Sequence, residues 1–121
     1  MALAVSIVDD SGMSRKLTIR ALPAEWDISL SQASNGQEAM ELYQAGKADV
    51  MFLDLTMPVM NGFQVLEALH LEDRNCFVIV VSADIQPQAK ERAMALGAIA
   101  FVRKPVHRDD VAQVLKEFGL L

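Results

Sequence analysis

The stretch Val50-Met51-Phe52-Leu53-Asp54-Leu55-Thr56-Met57-Pro58 opens with four apolar residues in a row and then meets a carboxylate. An unbroken apolar run of this length suits a strand buried on both faces, as in a parallel sheet. Asp54 ends the run, and Met57-Pro58 followed by Asn61-Gly62 marks a loop. In an open parallel sheet, ligands sit in the crevice beyond the carboxyl ends of the strands. A lone carboxylate is costly to desolvate there, so other groups are expected to converge on Asp54.

Upstream, Leu3 to Val8 is a second apolar run, ending in Asp9-Asp10. Ser11 to Leu22 reads as a helix with Met13, Leu17 and Ala21 one turn apart, closed by Pro23. Glu25-Trp26-Asp27-Ile28-Ser29-Leu30-Ser31 alternates, as expected of a strand near the edge of a sheet, with Trp26 as a core residue of that strand. Asn35, with Glu38 three residues on, predicts a capped helix with a capping box, running to about Gln44 and stopping near Gly46.

Downstream, Asn61 is placed to cap a helix that packs through Val65, Leu66 and Leu69. Phe77-Val78-Ile79-Val80-Val81 is the most β-prone run and ends in Ser82. Cys76, at its entry, reads as a small buried hydrophobe. Pro87 suits the first turn of a helix carrying Ala89, Ala93 and Leu96, and Gly97 terminates it. Ala98 to Val102 reads as a short last strand, followed by Arg103-Lys104-Pro105. The final helix sets Val111, Val114, Leu115 and Phe118 on one face. Five strands alternating with five helices predict a doubly wound parallel sheet with helices on both faces. The whole of 1–121 is expected to be one domain, with no output domain after the last helix.

Composition narrows the function classes. At 52% hydrophobic and 22% charged, the 121 residues have the make-up of an ordinary globular domain. No apolar run is long enough to span a bilayer and no signal-like N-terminus is present, so a cytoplasmic protein is expected. The net charge of −5 argues against nucleic acid as a partner. Residues 1–84 carry −7 and residues 85–121 carry +2, a mild basic bias that suits an acidic partner segment near Lys90, Arg92, Arg103 and Arg108. His70 and His107 have no metal-ligand companion at useful spacing and read as surface residues.

The strand ends carry the chemistry. Asp9-Asp10, Asp54, Ser82 and Lys104 all fall at one edge of a parallel sheet. Two carboxylates ~5 Å apart repel by about 3 kcal/mol at an effective dielectric near 20, so three need a cation. Lys104 supplies one positive charge, and a hard divalent ion such as Mg²⁺, with its taste for oxygen ligands, supplies more. An Asp beside such an ion stays ionised and can attack phosphorus. Ser82 and Lys104 are donors suited to the oxygens of the resulting phosphoryl group.

Val8-Asp9-Asp10-Ser11 with Arg15, Leu53-Asp54-Leu55-Thr56-Met57-Pro58 with Gly62, Val81-Ser82-Ala83, and Lys104-Pro105 together closely resemble the receiver domain of two-component response regulators, over essentially the whole chain. The resemblance implies a flavodoxin-like (βα)5 fold with strand order 2-1-3-4-5. It implies that Asp54 accepts a phosphoryl group from a histidine kinase or histidine phosphotransfer protein. It also implies Mg²⁺ held by Asp10, Asp54 and the Thr56 backbone carbonyl, with Asp9 assisting through water. Ser82 and Phe101 would be the switch pair, Lys104 would contact the phosphate ahead of a cis peptide to Pro105, and Thr56 and Asp84 would tune the phosphoryl lifetime. The expected protein is a CheY-like signalling switch, monomeric, which catalyses only its own phosphorylation and dephosphorylation. It would act through a downstream target or phosphatase on the 82–118 face, in chemotaxis or a phosphorelay.

Two other readings compete. A flavodoxin-like flavin carrier needs a Gly/Ser/Thr-rich phosphate loop after the first strand, where Asp9-Asp10 would repel the phosphate. An Asp-nucleophile phosphatase of the haloacid dehalogenase type would carry its nucleophile on the first strand with a second Asp two positions on, whereas these acids are adjacent. A receiver that only binds partners would not need the complete set of acids, hydroxyl and Lys104.

Overall fold

The computed structural model describes residues 2–72, 75–83 and 86–121. The strands are β1 (Leu3–Val8), β2 (Ile28–Ala33), β3 (Val50–Leu53), β4 (Phe77–Ser82) and β5 (Ala100–Arg103). The helices between and after them are α1 (Gly12–Arg20), α2 (Gly36–Gln44), α3 (Gly62–Leu71), α4 (Pro87–Ala95) and α5 (Arg108–Glu117). All strand pairs are parallel, in the order β2-β1-β3-β4-β5, so the doubly wound sheet and its strand order stand as expected.

β3 is buried along its whole length, and both faces of the sheet are covered. One core gathers Met51, Leu53, Val78 and Val80 with Val65, Leu66 and Leu69 of α3 and Ala89 and Ala93 of α4. The other gathers Val5, Ile7, Phe52 and Ile79 with Val111 and Leu115 of α5. Register levels the strand ends. Val8 pairs with Leu53 and Leu53 with Val80, while Ser82 pairs with Arg103. The next residues along, Asp9, Asp54 and Lys104, therefore emerge at the same edge.

Several boundaries differ from the sequence reading, each for a local reason. The inner line of α1 is not Met13 and Leu17, which are 64% and 48% exposed, but half-buried Ser14, buried Thr18, and Ala21 and Leu22 beyond the helix. Hydroxyls on the inward face gave no apolar signal. β2 starts at Ile28, and half-buried Trp26 lies before it, where its Nε1 donates to the Leu120 carbonyl at 2.8 Å. That indole ties the C-terminal segment to the approach of the edge strand. β5 starts two residues later than expected because the Ala98 N–H is spent closing α4, donating to the Ala93 carbonyl. Gly97, at φ 105, makes that turn. Phe118 caps α5 and is 40% exposed, and Cys76 is only partly buried.

Helix starts follow their caps. Asn35 accepts from the Glu38 N–H, but Glu38 reaches back to the N–H and hydroxyl of Ser34, one residue beyond the expected box. The reciprocal box occurs at α3, between Asn61 and Gln64.

Val59 is strained. Its φ of 68 is unusual for a β-branched residue, and the Met60 N–H donates across it to the Pro58 carbonyl at 2.7 Å, forming a tight γ-turn. Its side chain is 75% exposed, so little burial offsets the strain. Val59→Gly is expected to stabilise the fold by about 1 kcal/mol, the relieved strain less the added freedom of the unfolded chain. Urea midpoints of the two proteins check this, and an unchanged or lower midpoint counts against it.

Candidate functional site

Each site residue is set by the end of a strand. The Asp9 N–H donates to the Ala33 carbonyl and the Asp54 N–H to the Val8 carbonyl, extending the ladders of β1 with its two neighbours by one rung. The Lys104 N–H donates to the Ser82 carbonyl at 2.9 Å, fixing the lysine beside the end of β4. Asp9, Asp54 and Ser82 are 4%, 7% and 2% exposed, whereas Asp10 and Thr56 face solvent. One oxygen from each of Asp9, Asp10 and Asp54 lies within 4.8 Å of the others. The three acids, Ser82 and Lys104 are thus brought to one edge.

The Lys104 ammonium sits 2.8 Å from Asp9 Oδ2 and 3.6 Å from Asp54 Oδ1. Asp9 collects two further donors, the Ser11 N–H on Oδ1 at 2.9 Å and the Ser14 hydroxyl on Oδ2 at 2.6 Å. Arg15 holds the same corner, its Nη1 donating to the Asp9 carbonyl at 2.7 Å and its Nε to Gln32 Oε1 at 2.9 Å. In the sequence Arg15 stands out only within a motif, and Ser14 carries no signal of its own. The available signal was position, since a helix that starts one turn after Asp9 turns its third residue back toward it.

The two buried acids titrate in opposite directions. Burial pushes the Asp9 carboxyl up, but hydrogen bonds from Lys104, Ser14 and the Ser11 N–H, with the lysine charge, outweigh it and hold the group below its ordinary 3.8. For Asp54, burial dominates and raises the carboxyl, aided by the charges of Asp9 and Asp10 and opposed by Lys104 and the Thr56 N–H. A depressed folded value stabilises the fold above the unfolded value and loses that contribution as pH falls through the folded one. Asp9→Asn is therefore expected to cost about 1–2 kcal/mol at pH 7, less than a fully buried pair because Lys104 is part-exposed. The deficit should shrink as pH falls below 3.8. Equal urea midpoints for Asp9→Asn and the parent at pH 7 would refute it.

Among the described residues, three carboxylates face one ammonium, which leaves this crevice short of positive charge. The donor set is all oxygen, as a hard divalent cation prefers. A nucleophilic carboxylate, an ammonium within reach and a cation-holding acid cluster fit phosphoryl transfer.

The family model for the response regulator receiver domain matches residues 5–116. The chain belongs to this family. The receiver is 34% identical over 116 residues to the chemotaxis protein CheY of Listeria monocytogenes, covering 95% of this chain and 97% of that one. It superposes on the signal receiver domain of the putative response regulator NarL from Mycobacterium tuberculosis with a TM-score of 0.86 at 28% identity, covering 98% and 96% of the two chains. Against a chain in the CheX-CheY-BeF3-Mg complex from Borrelia burgdorferi the TM-score is 0.86 at 30% identity, covering 98% and 90%. The fold is the flavodoxin-like fold of CheY, and the domain is a phosphoryl-accepting, CheY-like response regulator. A flavin carrier or a haloacid-dehalogenase-type phosphatase is not favoured.

Among the remaining expected residues, Phe101 is half-buried against the core on the α3/α4 side. Pairing of Val80 with Phe101 and Ser82 with Arg103 puts Ser82 and Phe101 on the same face of the sheet. The Lys104–Pro105 peptide is cis, as the resemblance implied. Asp84 lies outside the described residues. His70 and His107 are exposed. Among the described residues, no helix is long and apolar enough to cross a membrane.

Proposed function

We propose that Asp54 is the phosphoacceptor of this receiver and that residues 1–121 act as one signalling unit. The observation that carries it is the setting of Asp54, a buried carboxylate at a strand end with an ammonium 3.6 Å away and two further acids beside it. In the reaction, an Asp54 oxygen attacks phosphorus, the P–N bond of a phosphohistidine on a kinase or phosphotransfer protein breaks, and the imidazole keeps the electron pair. Lys104 is within reach of the phosphoryl oxygens, and Ser82 stands at the end of the neighbouring strand.

Asp10, Asp54 and the Thr56 carbonyl would hold Mg²⁺, with Asp9 acting through water. That division suits Asp9, whose carboxylate already takes three donors. When bound, the ion neutralises the crowded carboxylates and the phosphoryl oxygens. The magnesium in the related CheY complex supports this reading.

Two hydrogen bonds to the new charge are worth roughly 3–6 kcal/mol, comparable with the ~5.5 kcal/mol that inverts a 1:99 equilibrium. We read Ser82 and Phe101 as the switch pair, Thr56 and Asp84 as tuning the lifetime, and the 82–118 face as the partner surface in chemotaxis-type or phosphorelay signalling. A shallow cavity there is lined by Phe101, Arg103, Asp110, Gln113, Val114 and Glu117, which mixes both signs of charge. Arg92 is 3.6 Å from Glu67 and stacked over Phe63, and Arg108 donates to the Arg20 carbonyl, so the basic bias is partly engaged within the domain. This weakens the case for an acidic partner. Incubation with acetyl phosphate and Mg²⁺ is expected to add one base-labile phosphoryl group that maps to Asp54. No adduct, or an adduct on another residue, overturns the proposal.

A further inference from the structure

Asp9 Oδ2 is the most contested atom of the site. The Ser14 hydroxyl donates to it at 2.6 Å and the Lys104 ammonium at 2.8 Å, while Oδ1 is taken by the Ser11 N–H. A carboxylate oxygen offers two lone-pair sites, so the serine and the lysine fill Oδ2 between them. The same ammonium stands 3.6 Å from Asp54 Oδ1, close enough for Coulomb attraction but beyond a short hydrogen bond. Lys104 is thus shared unequally between the acid that anchors it and the acid proposed to react.

Ser14 lies on α1, on the half-buried inner line that continues to Thr18, and its own N–H is already spent on the Ser11 hydroxyl. Its hydroxyl stabilises Asp9 without bringing charge. Were it absent, a buried carboxylate would keep its charge and lose a neutral donor, and among the described residues the charged donor already on that oxygen, Lys104, is placed to make up the loss. The ammonium would then settle more firmly on Asp9 and be drawn from Asp54.

We propose that Ser14 is a positioning residue for phosphoryl acceptance: its hydroxyl occupies Asp9 Oδ2 so that the Lys104 ammonium remains shared with Asp54. The assignment rests on Asp54 being the phosphoacceptor, and Ser14 itself touches neither the phosphodonor nor the reacting atoms.

The test uses the full chain with Ser14→Ala and Ser14→Thr, each alone and with Lys104→Met, and follows initial phosphoryl uptake from acetyl phosphate at saturating Mg²⁺. Ser14→Ala is expected to slow uptake about tenfold in the parent, against the 1.4 kcal/mol scale of a tenfold change. Ser14→Thr, which keeps the hydroxyl, should stay within about twofold of the parent, and Ser14→Ala should slow the Lys104→Met protein no further. A second readout is independent of turnover. In metal-free protein, the Lys104 ammonium protons observed by NMR should exchange more slowly with water in Ser14→Ala, because the lysine is held more tightly. A structural loosening of α1 would speed that exchange and slow uptake equally in both backgrounds. Either of those results, or unchanged uptake in Ser14→Ala, overturns the assignment. If the parent accepts no phosphoryl group, the Asp54 reading falls, and the ammonium exchange alone then decides the role of Ser14.

Discussion

Asp54→Asn is expected to lose phosphoryl uptake by at least about 1,000-fold, the scale on which removing a nucleophile acts, and yet to melt higher than the parent at pH 7. The first effect follows from chemistry, since the amide oxygen that replaces the carboxylate is a poor nucleophile toward phosphorus. The second follows from burial. Asp54 is 7% exposed and faces Asp9 and Asp10, and desolvation raises its carboxyl above the ordinary value. A folded value above the unfolded one means that the native state binds more protons, so stability falls as pH rises through the folded value. At neutral pH the ionised carboxylate is therefore a burden that Asn removes. Each 1 kcal/mol corresponds to about 4 °C in a domain of this size.

The gain should close as pH falls toward 3.8, where the parent is protonated too. Saturating Mg²⁺ should also erode it, because ligand binding favours the parent, which keeps the full acid cluster. Thermal melts of both proteins at pH 7 and near pH 4, with and without Mg²⁺, check the argument. An Asp54→Asn protein less stable than the parent at pH 7 without metal would show that the carboxylate is better compensated than the geometry implies.

The site was legible because its members sit where apolar runs stop. Asp9, Asp54 and Ser82 each end a run that no helix pattern explains, and parallel pairing then levels them at one edge. The strand order was legible only through resemblance, since the alternation before and within β2 places it near an edge but the unbroken apolar runs do not order the interior strands. What escaped was written in groups that carry no hydrophobic signal. The inner line of α1 uses Ser14 and Thr18. The start of β5 is set by the hydrogen bond that closes α4, and Trp26 is placed by a carbonyl 94 residues away in sequence. The competition at Asp9 Oδ2 depends on distances of a few tenths of an ångström, which residue types do not encode.

Gly62→Ala is the substitution expected to damage the fold and the site together. Gly62 opens α3, and its N–H donates to the Leu55 carbonyl at 3.0 Å, which draws the start of the helix against the end of β3. A Cβ built there falls 2.4 Å from the Asp54 carbonyl oxygen and 2.7 Å from the Leu55 Cα. Both are backbone atoms, so no flexible side chain can step aside, and either α3 or the strand end must move. Overpacking of this kind costs about 1–3 kcal/mol, and the better helix propensity of Ala offsets at most ~1 kcal/mol.

The displaced residue is Asp54 itself, and a shift of about 1 Å in a reacting group can cost 10²-fold. Gly62→Ala should thus lower the unfolding free energy read by urea by about 1–2 kcal/mol and slow phosphoryl uptake by about 10–100-fold. Gly46→Ala is the comparison, because Gly46 has φ 75 but nothing within 4 Å of its Cβ position. That variant should lose about 1 kcal/mol from backbone strain alone and keep its rate of uptake. Equal losses of uptake in the two variants would mean that stability, and not the position of Asp54, sets the rate. A Gly62→Ala protein that keeps full stability and full uptake would show that α3 can retreat from the strand end at no cost, against the close backbone contact seen here.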